Sequence, residues 1–204
     1  MAEAFLITKD HNGFPRVISI LSSLLERVAN WNDDLTATGL HHYSPASAIS
    51  AFFGLEKPEI SIPCYLERIF RFAHCSTSCF VVAYIYLDRF LLLHPSISVD
   101  SFNVHRFLIT AVLTAVKFMD DRYYNNAYFA KVGGISLAEM NYLEVDFLFG
   151  LRFDLNVTPI VFGSYCSILE REMKMANPQI PSSVHCYTTE DETSSSCKQK
   201  QLIV

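Results

Sequence analysis

The sequence predicts an all-α fold in which other helices surround one central apolar helix. Every long segment either has apolar residues at three- and four-residue steps or is apolar throughout, as expected of helices that bury one or more faces. The segment 102–119 is apolar on most sides, so neighbouring helices must cover it. No run of residues indicates a set of strands. These patterns are typical of a helical bundle.

The first part of the chain combines a tail, a helix and a connector. Residues 1–14 show no helical pattern, and we expect a flexible tail there. An amino-terminal helix is predicted over 15–33, regular to about Asn30, because Pro15 suits a first helical turn and apolar residues follow at helical steps. The stretch 34–58 is rich in polar and turn-forming residues and predicts a connector, with at most a short helix near 45–53.

The main body is predicted over 59–176, and its helices are bounded by recognisable caps. Ser61 precedes an early-helix proline, and Ser136 followed by Glu139 has the pattern of a capping box. Asp100 or Ser101 can cap the central helix, and Thr158 precedes the last one. We expect helices at about 62–73, 78–93, 102–119, 126–131, 137–151 and 159–176. Residues 177–204 are rich in Ser, Thr, Pro and charge, which predicts a disordered tail.

Composition limits the kinds of partner. The chain is 50% hydrophobic and 18% charged, which provides a core of good size and leaves apolar residues for an interface. Its net charge of -5 argues against binding to nucleic acid or to an anionic membrane. The most apolar stretch is too short to span a bilayer, and no signal peptide is visible. We therefore expect the nucleus, the cytoplasm or both as the location.

No pattern points to catalysis, a cofactor, a metal or a small-molecule substrate. The six cysteines form no CxxC pair, and the seven histidines have no ligand spacing. Four carboxylates suggest acid–base chemistry at most weakly, since no histidine or ligand cluster accompanies Asp120, Asp121, Glu139 and Glu144. We expect a protein that is not an enzyme.

Two charged residues do stand out, Lys117 and Glu144. The polar residues of the central helix step by three or four and predict one narrow exposed strip, made of Asn103, Arg106, Thr110, Thr114 and Lys117. Glu144 occupies the position that would complete the apolar stripe of the 137–151 helix, where an unpaired carboxylate is costly to bury. Two interpretations are open: Glu144 pairs internally or lies at the stripe edge, or it is presented with Lys117 to another protein.

Three segments resemble, in order and spacing, the core of the cyclin box, the five-helix fold by which cyclins bind cyclin-dependent kinases. They are 84–91 (YIYLDRFL), 113–121 (LTAVKFMDD) and 144–155 (EVDFLFGLRFDL). Segments 101–108 (SFNVHRFL) and 124–134 (YNNAYFAKVGG) are similar to the plant P-type, or U-type, cyclins, relatives of the yeast phosphate-pathway cyclin. The resemblance covers about residues 59–170 and implies a five-helix box with an extra amino-terminal helix.

The resemblance also implies a role for individual residues. In cyclins, residues that match Lys117 and Glu144 hydrogen-bond the kinase backbone beside the helix that completes the active site. Apolar contacts of the same interface match Phe118, Leu148, Phe153 and Leu155. The expected function is a regulatory subunit that binds and activates a cyclin-dependent kinase in cell-cycle or nutrient-linked signalling. The alternative is a cyclin-box scaffold or transcription adaptor that binds partners without activating a kinase.

The sequence departs from the cell-cycle cyclins in four respects. Segment 65–72 (YLERIFRF) lacks their MRAILVDW-like sequence, so recruitment of substrates through Arg-x-Leu motifs is not supported. That segment also lacks the arginine that pairs with the second-helix aspartate, which leaves Asp88 without an assigned partner. Too few residues follow Leu155 for a second box, and residues 1–40 contain no destruction-box motif. We expect one box.

Overall fold

The computed structural model describes residue 6 and residues 8–10, 13–38 and 50–175, apart from the side chains of 50 and 173–175. These ranges form seven α-helices and no β-strand, which confirms the all-α prediction. The helices are α1 (Arg16–Ala37), α2 (Ile62–Ala73), α3 (Thr77–Leu93), α4 (Val104–Met119), α5 (Asn126–Gly133), α6 (Leu137–Gly150) and α7 (Pro159–Met175), with a 3-10 helix at Ser50–Phe52. The predicted disordered tail 177–204 and residues 39–49 of the connector lie outside the described residues.

Helix α4 is the predicted central helix. Twelve of its residues are buried, and α2, α3, α5 and α6 pack around it. It begins at Val104, later than predicted, because the Asp100 carboxylate accepts hydrogen bonds from the backbone N–H groups of Phe102 (2.9 Å) and Asn103 (3.1 Å) and holds 101–103 in a turn. Helices α2–α6 form the five-helix box, and none of the described helices is long and apolar enough to cross a membrane.

The predicted caps set the helix starts. The Ser61 hydroxyl accepts from the backbone N–H of Cys64 at 3.4 Å, and the Ser136 hydroxyl accepts from that of Glu139 at 3.1 Å. The second half of a capping box, in which the glutamate returns to the serine N–H, does not form. The Glu139 carboxylate instead binds Arg106, because that arginine lies within 2.8 Å on α4.

The amino-terminal helix is longer than predicted, and the residues before it are packed. Helix α1 continues to Ala37, past the expected end at 33. Within the predicted flexible tail 1–14, the described residue Leu6 is buried in the core. Asp10 accepts hydrogen bonds from the Phe14 N–H at 2.9 Å and from the Ser19 hydroxyl. Through these two bonds Asp10 fastens the residues before the helix to the first turn of α1.

The end of the connector contributes to the core. The 3-10 helix inserts the Phe52 side chain, which is fully buried, and its ring stacks on that of Phe107 at 4.3 Å. Phe90 lies beside both rings and stacks on Phe147 at 5.1 Å. Gly150 permits this approach of α6 to α3, since a Cβ atom there would lie 2.2 Å from the Phe90 ring. Four aromatic rings therefore unite α3, α4, α6 and the 3-10 helix.

The prediction of an exposed polar strip on the central helix is wrong. Thr110 and Thr114 are buried because α6 packs over this face. Asn103, just before the helix, is buried with its amide bonded to the Asp100 N–H and the Ser98 carbonyl. The Thr110 and Thr114 hydroxyls donate to backbone carbonyl oxygens one turn earlier, at 2.7 and 2.9 Å, so they enter the core without losing hydrogen bonds. Only Arg106 and Lys117 of the strip are partly accessible, and each forms an ion pair with a glutamate of α6.

Candidate protein-binding site

The candidate site centres on the ion pair between Lys117 and Glu144. Lys117 lies at the carboxyl end of α4, where a cation interacts favourably with the helix dipole, and Glu144 lies in the middle of α6. The lysine Nζ is 2.6 Å from the glutamate Oε1. Their side chains are 29% and 14% exposed, so the pair is partly shielded from solvent and still accessible. The internal pairing that was one interpretation of Glu144 is therefore present in the free chain.

Asn126 holds the other side of the glutamate. Its Nδ2 group donates to Glu144 Oε2 at 2.7 Å and to Asn141 Oδ1 at 2.8 Å. Helix α5 presents Asn126 there because the preceding residue, Asn125, caps the helix and accepts from the Tyr128 N–H at 3.1 Å. Each carboxylate oxygen of Glu144 therefore accepts one hydrogen bond, which fixes its position. The sequence analysis missed Asn126; its only signal was the pair of adjacent asparagines at a helix start.

Exposed apolar side chains lie on the two helices that carry this ion pair, or directly after them. Phe118 follows Lys117 and is 50% exposed, and Phe149 and Phe153 are 66% and 57% exposed. The rings of Phe149 and Phe153 meet edge to face at 5.2 Å. Exposed large apolar side chains that lie together mark an interaction surface more often than isolated ones do. The arrangement can bind a protein surface that offers both apolar area and backbone polar groups.

The chain turns sharply after α6 and projects Phe153 outward. Arg152 and Phe153 both adopt left-handed conformations, with φ of 53° and 57°, which cost roughly 1–2 kcal/mol for a residue with a Cβ atom. The Phe153 N–H donates to the Leu148 carbonyl at 3.0 Å and closes the turn. Such strained residues cluster at functional sites, where the surrounding structure maintains them.

The other predicted contact residues are less exposed. Leu148 and Leu155 are half-buried, and Leu155 packs against the core. The Leu155 carbonyl accepts from the Tyr86 hydroxyl at 2.7 Å, which fixes the segment after the turn to α3. Val145 and Phe149 are exposed on the outer face of α6 and were not predicted. Their apolar character could be read from the sequence, but their exposure depends on which face α4 covers.

Asp88 has a partner that the resemblance did not provide. The Tyr165 hydroxyl of α7 donates a hydrogen bond to its carboxylate. Burial raises the pKa of Asp88 above the ordinary value for a carboxyl group, while the bond from Tyr165 acts in the opposite direction. Tyr165 therefore satisfies this aspartate in place of the absent arginine.

The carboxylates considered for acid–base chemistry have other partners. Asp120 accepts from the Ser76 N–H at 3.3 Å, Glu139 pairs with Arg106, and Glu144 pairs with Lys117. Among the described residues, no three His, Cys, Asp or Glu side chains are grouped to hold a metal ion. Asp120, Glu139 and Glu144 thus accept a hydrogen bond or form ion pairs, and Asp121 is exposed.

The fold and site define a helical protein-binding subunit with an accessible ion pair in an apolar surface. The protein-family model "Cyclin" matches residues 15–155, and the chain belongs to the cyclin family. The match includes α1 as well as the five helices α2–α6. Cyclins are regulatory subunits and not enzymes, and their general partners are cyclin-dependent kinases.

Plant cyclins are among its relatives. The chain is 70% identical to Cyclin-P4-1 of Oryza sativa subsp. japonica over 159 residues, which cover 78% of this chain and 74% of the relative. It is 54% identical to Cyclin-U4-1 of Arabidopsis thaliana over 190 residues, 91% of this chain and 92% of the relative. Cyclin-U1-1 of Arabidopsis thaliana is 44% identical over 161 residues, 79% and 75% of the two chains. The predicted kinship with the P-type and U-type cyclins is confirmed.

Proposed function

We propose that this chain binds and activates a cyclin-dependent kinase through an ion-pair face made of Lys117, Phe118, Glu144, Leu148, Phe153 and Leu155. The observation that carries the proposal is a partly exposed ion pair between two helices that also carry exposed phenylalanines, in a member of the cyclin family. The resemblance of Lys117 and Glu144 to the kinase-contacting residues of cyclins supports it.

The ion pair has hydrogen-bonding capacity left for a partner. A lysine ammonium has three N–H donors, and Lys117 uses one of them on Glu144. Each Glu144 oxygen accepts one bond within the chain and can accept another. Lys117 would donate to backbone carbonyl oxygens of the kinase, and Glu144 would accept from its backbone N–H groups. Since the pair is already positioned, binding loses little side-chain entropy.

The apolar residues would contribute most of the affinity. Full burial of a side chain as large as Phe118 or Phe153 is worth about 1.5–3 kcal/mol before the costs of association. The ion pair, in contrast, must give up solvent when the kinase covers it, so its main contribution is to orientation and specificity. Leu148 and Leu155 would fill the edge of the contact from their half-buried positions.

Activation follows from a difference in affinity for two kinase conformations. In its active conformation a kinase has a lysine–glutamate ion pair of its own in the active site. A cyclin that binds this active conformation more tightly than the inactive one shifts the kinase population toward the active conformation. Each 1.4 kcal/mol of that difference changes the population ratio about tenfold. The kinship with P-type cyclins supports cell-cycle or nutrient-linked signalling as the setting, in the nucleus, the cytoplasm or both.

The experiment is co-purification with a panel of plant cyclin-dependent kinases, followed by a kinase assay on each complex. We expect wild-type protein to bind and activate at least one kinase and Glu144→Gln to weaken both effects. Glu139→Gln is the matched control, because Glu139 forms the other ion pair between α6 and α4 at the same kind of distance. Binding without activation supports the scaffold or adaptor alternative. Absence of both binding and activation overturns the proposal.

A further inference from the structure

The polar network around Glu144 extends beyond the ion pair. Glu144 Oε1 lies 2.6 Å from Lys117 Nζ, and Glu144 Oε2 accepts from the Asn126 Nδ2 group at 2.7 Å. The same Nδ2 group donates to Asn141 Oδ1 at 2.8 Å. Three helices supply these residues: α4 carries Lys117, α5 begins with Asn126, and α6 carries Asn141 and Glu144. The glutamate therefore lies between a cation on one helix and an amide on another.

The orientation of the Asn126 amide follows from the charge of its neighbour. An ionised carboxylate only accepts hydrogen bonds, so the amide must turn its nitrogen, and not its oxygen, toward Glu144. The second bond of this nitrogen goes to Asn141, so both donors of the amide are occupied. The cap at Asn125 fixes the backbone at the start of α5. The Asn126 side chain is thus held by its backbone and by two hydrogen bonds.

Asn126 determines how Glu144 meets Lys117. The last torsion of a glutamate side chain has only a broad preference, and glutamate has much rotamer freedom to lose. Because Oε2 is bonded to Asn126, only Oε1 pairs with the lysine. Without Asn126 the carboxylate would be free to rotate and to bind the ammonium group through both oxygens. A pair of that kind would occupy a second lysine donor and both carboxylate oxygens at once.

We propose that Asn126 is a positioning residue of the kinase-binding site, which keeps Glu144 bonded to Lys117 through one oxygen only. Two N–H donors of Lys117 and one further lone pair on each Glu144 oxygen then stay available to the kinase backbone. This inference rests on the proposed function. It adds a residue of α5 to a site that otherwise consists of α4, α6 and the turn after α6.

A purely structural role is the competing explanation for Asn126. Its bond to Asn141 ties α5 to α6 and would suffice for such a role. The bond to Glu144 is different, because its acceptor is a charged group that is 14% exposed and belongs to the candidate site. A structural residue changes kinase binding only through the fraction of chain that is folded. A positioning residue changes the affinity of the folded chain.

The test is isothermal titration of full-length variants with a cyclin-dependent kinase that the wild-type protein binds. Asn126→Ala should weaken binding about tenfold, because Glu144 loses a hydrogen bond that holds a charged group in place. Asn126→Asp should weaken it further, since a second carboxylate repels Glu144. Asn30→Ala is the control, because Asn30 is an exposed asparagine on α1, and it should keep wild-type affinity. In a Glu144→Ala background, Asn126→Ala should cause no further loss.

Two measurements on the free chain separate positioning from folding. The urea midpoint of Asn126→Ala should stay close to that of the wild type, because alanine suits the first turn of a helix. A proton–nitrogen correlation NMR spectrum should show a shifted side-chain amide signal for Asn126, since its bond to a carboxylate is charge-assisted. This signal should move toward its ordinary position in Glu144→Ala.

Three results would overturn the inference. Asn126→Ala binds the kinase as tightly as the wild type, its loss persists in the Glu144→Ala background, or the amide signal of Asn126 does not respond to Glu144→Ala. In each of these cases the wild-type protein still binds a kinase, so the proposed function stands. A wild-type protein that binds no kinase is a different result, because the proposed function then fails and takes this inference with it.

Discussion

The Tyr165 hydroxyl donates a hydrogen bond to the Asp88 carboxylate and ties α7 to the middle of α3. Both residues are buried, so water cannot easily replace the hydrogen bond between them. A buried carboxylate that loses its donor keeps the cost of its desolvation. The helix that follows the box is therefore joined to it by a polar contact as well as by apolar packing.

Tyr165→Phe should destabilise the fold by about 2 kcal/mol at neutral pH, because Asp88 then stays buried without its donor. Burial raises the pKa of Asp88, so the folded state takes up a proton there more readily than the unfolded state as the pH falls. The loss should consequently shrink at acidic pH, where Asp88 is protonated. Urea unfolding at several pH values measures it. Tyr142→Phe, which removes an exposed hydroxyl, is the control and should change little.

Phe52→Ala should cost about 3–5 kcal/mol of unfolding free energy, because it removes a fully buried ring that three other phenylalanines surround. Leu55→Ala tests the same segment at a fully exposed position and should stay within about 0.5 kcal/mol of wild type. Chemical denaturation compares the two variants. If they have similar stability, Phe52 does not anchor the connector to the core.

The sequence predicted the helices well because their signals are local. Three helix starts are determined by side chains that accept hydrogen bonds from nearby backbone N–H groups. These side chains are Ser61, Ser136 and, before Val104, Asp100. The anchoring of Asp10 to Phe14 and Ser19 was missed although it is local. The longer α1 was missed because its carboxyl-terminal part is held by contacts such as that of Asn32 with the Val99 carbonyl at 2.7 Å. That contact joins residues far apart in sequence, and no local pattern encodes it.

The site was predicted in part for a similar reason. Lys117 and Glu144 stood out because each is a charged residue in an apolar pattern, and the structure brings them together. The polar strip was misassigned because threonine counts as polar in a pattern, yet Thr110 and Thr114 satisfy their hydroxyls on their own helix and can be buried. Side-chain exposure depends on tertiary packing, which residue spacing alone does not give.

Lys117→Ala should lower kinase affinity about tenfold to a hundredfold, because it removes a donor and leaves Glu144 without its cation in the complex. Its effect on unfolding should stay below about 1 kcal/mol, since the pair is partly exposed. Isothermal titration with the kinase and urea unfolding of the free chain separate the two quantities. The variant could instead lose much stability while the kinase affinity of its folded fraction stays unchanged. That result would show that Lys117 is a structural residue only.

Phe153→Ala should weaken kinase binding by about tenfold or more. The substitution removes a half-exposed ring whose burial in the complex would contribute to the affinity. Its effect on stability should be small, and alanine should tolerate the left-handed backbone no better than phenylalanine does. Ile160→Ala is the matched control, since Ile160 is an exposed apolar residue at the start of α7, outside the ion-pair face. Equal affinity of both variants would remove Phe153 from the proposed contact.

His105 should make the fold sensitive to mild acid. Its Nε2–H donates to the Ile60 carbonyl at 2.8 Å, and its buried Nδ1 has no hydrogen-bond partner among the described residues. Burial lowers the pKa of His105 below its ordinary value of 6.5; the bond to Ile60 opposes this effect, and the charges of Lys57 and Arg106 reinforce it. The unfolded chain therefore takes up this proton more readily than the folded one.

The stability that the neutral imidazole provides is present above pH 6.5 and is lost as the pH falls below it, by at most about 1.4 kcal/mol per pH unit. Asp88 and Asp100 have raised pKa values and act in the opposite direction, so the wild-type profile alone does not isolate His105. His105→Gln keeps a side-chain donor for Ile60 but cannot titrate. Urea unfolding from about pH 7.5 to about pH 5.5 should show a smaller loss in this variant than in wild type. Parallel profiles would show that the imidazole titrates equally in the folded and unfolded chain and would contradict this prediction.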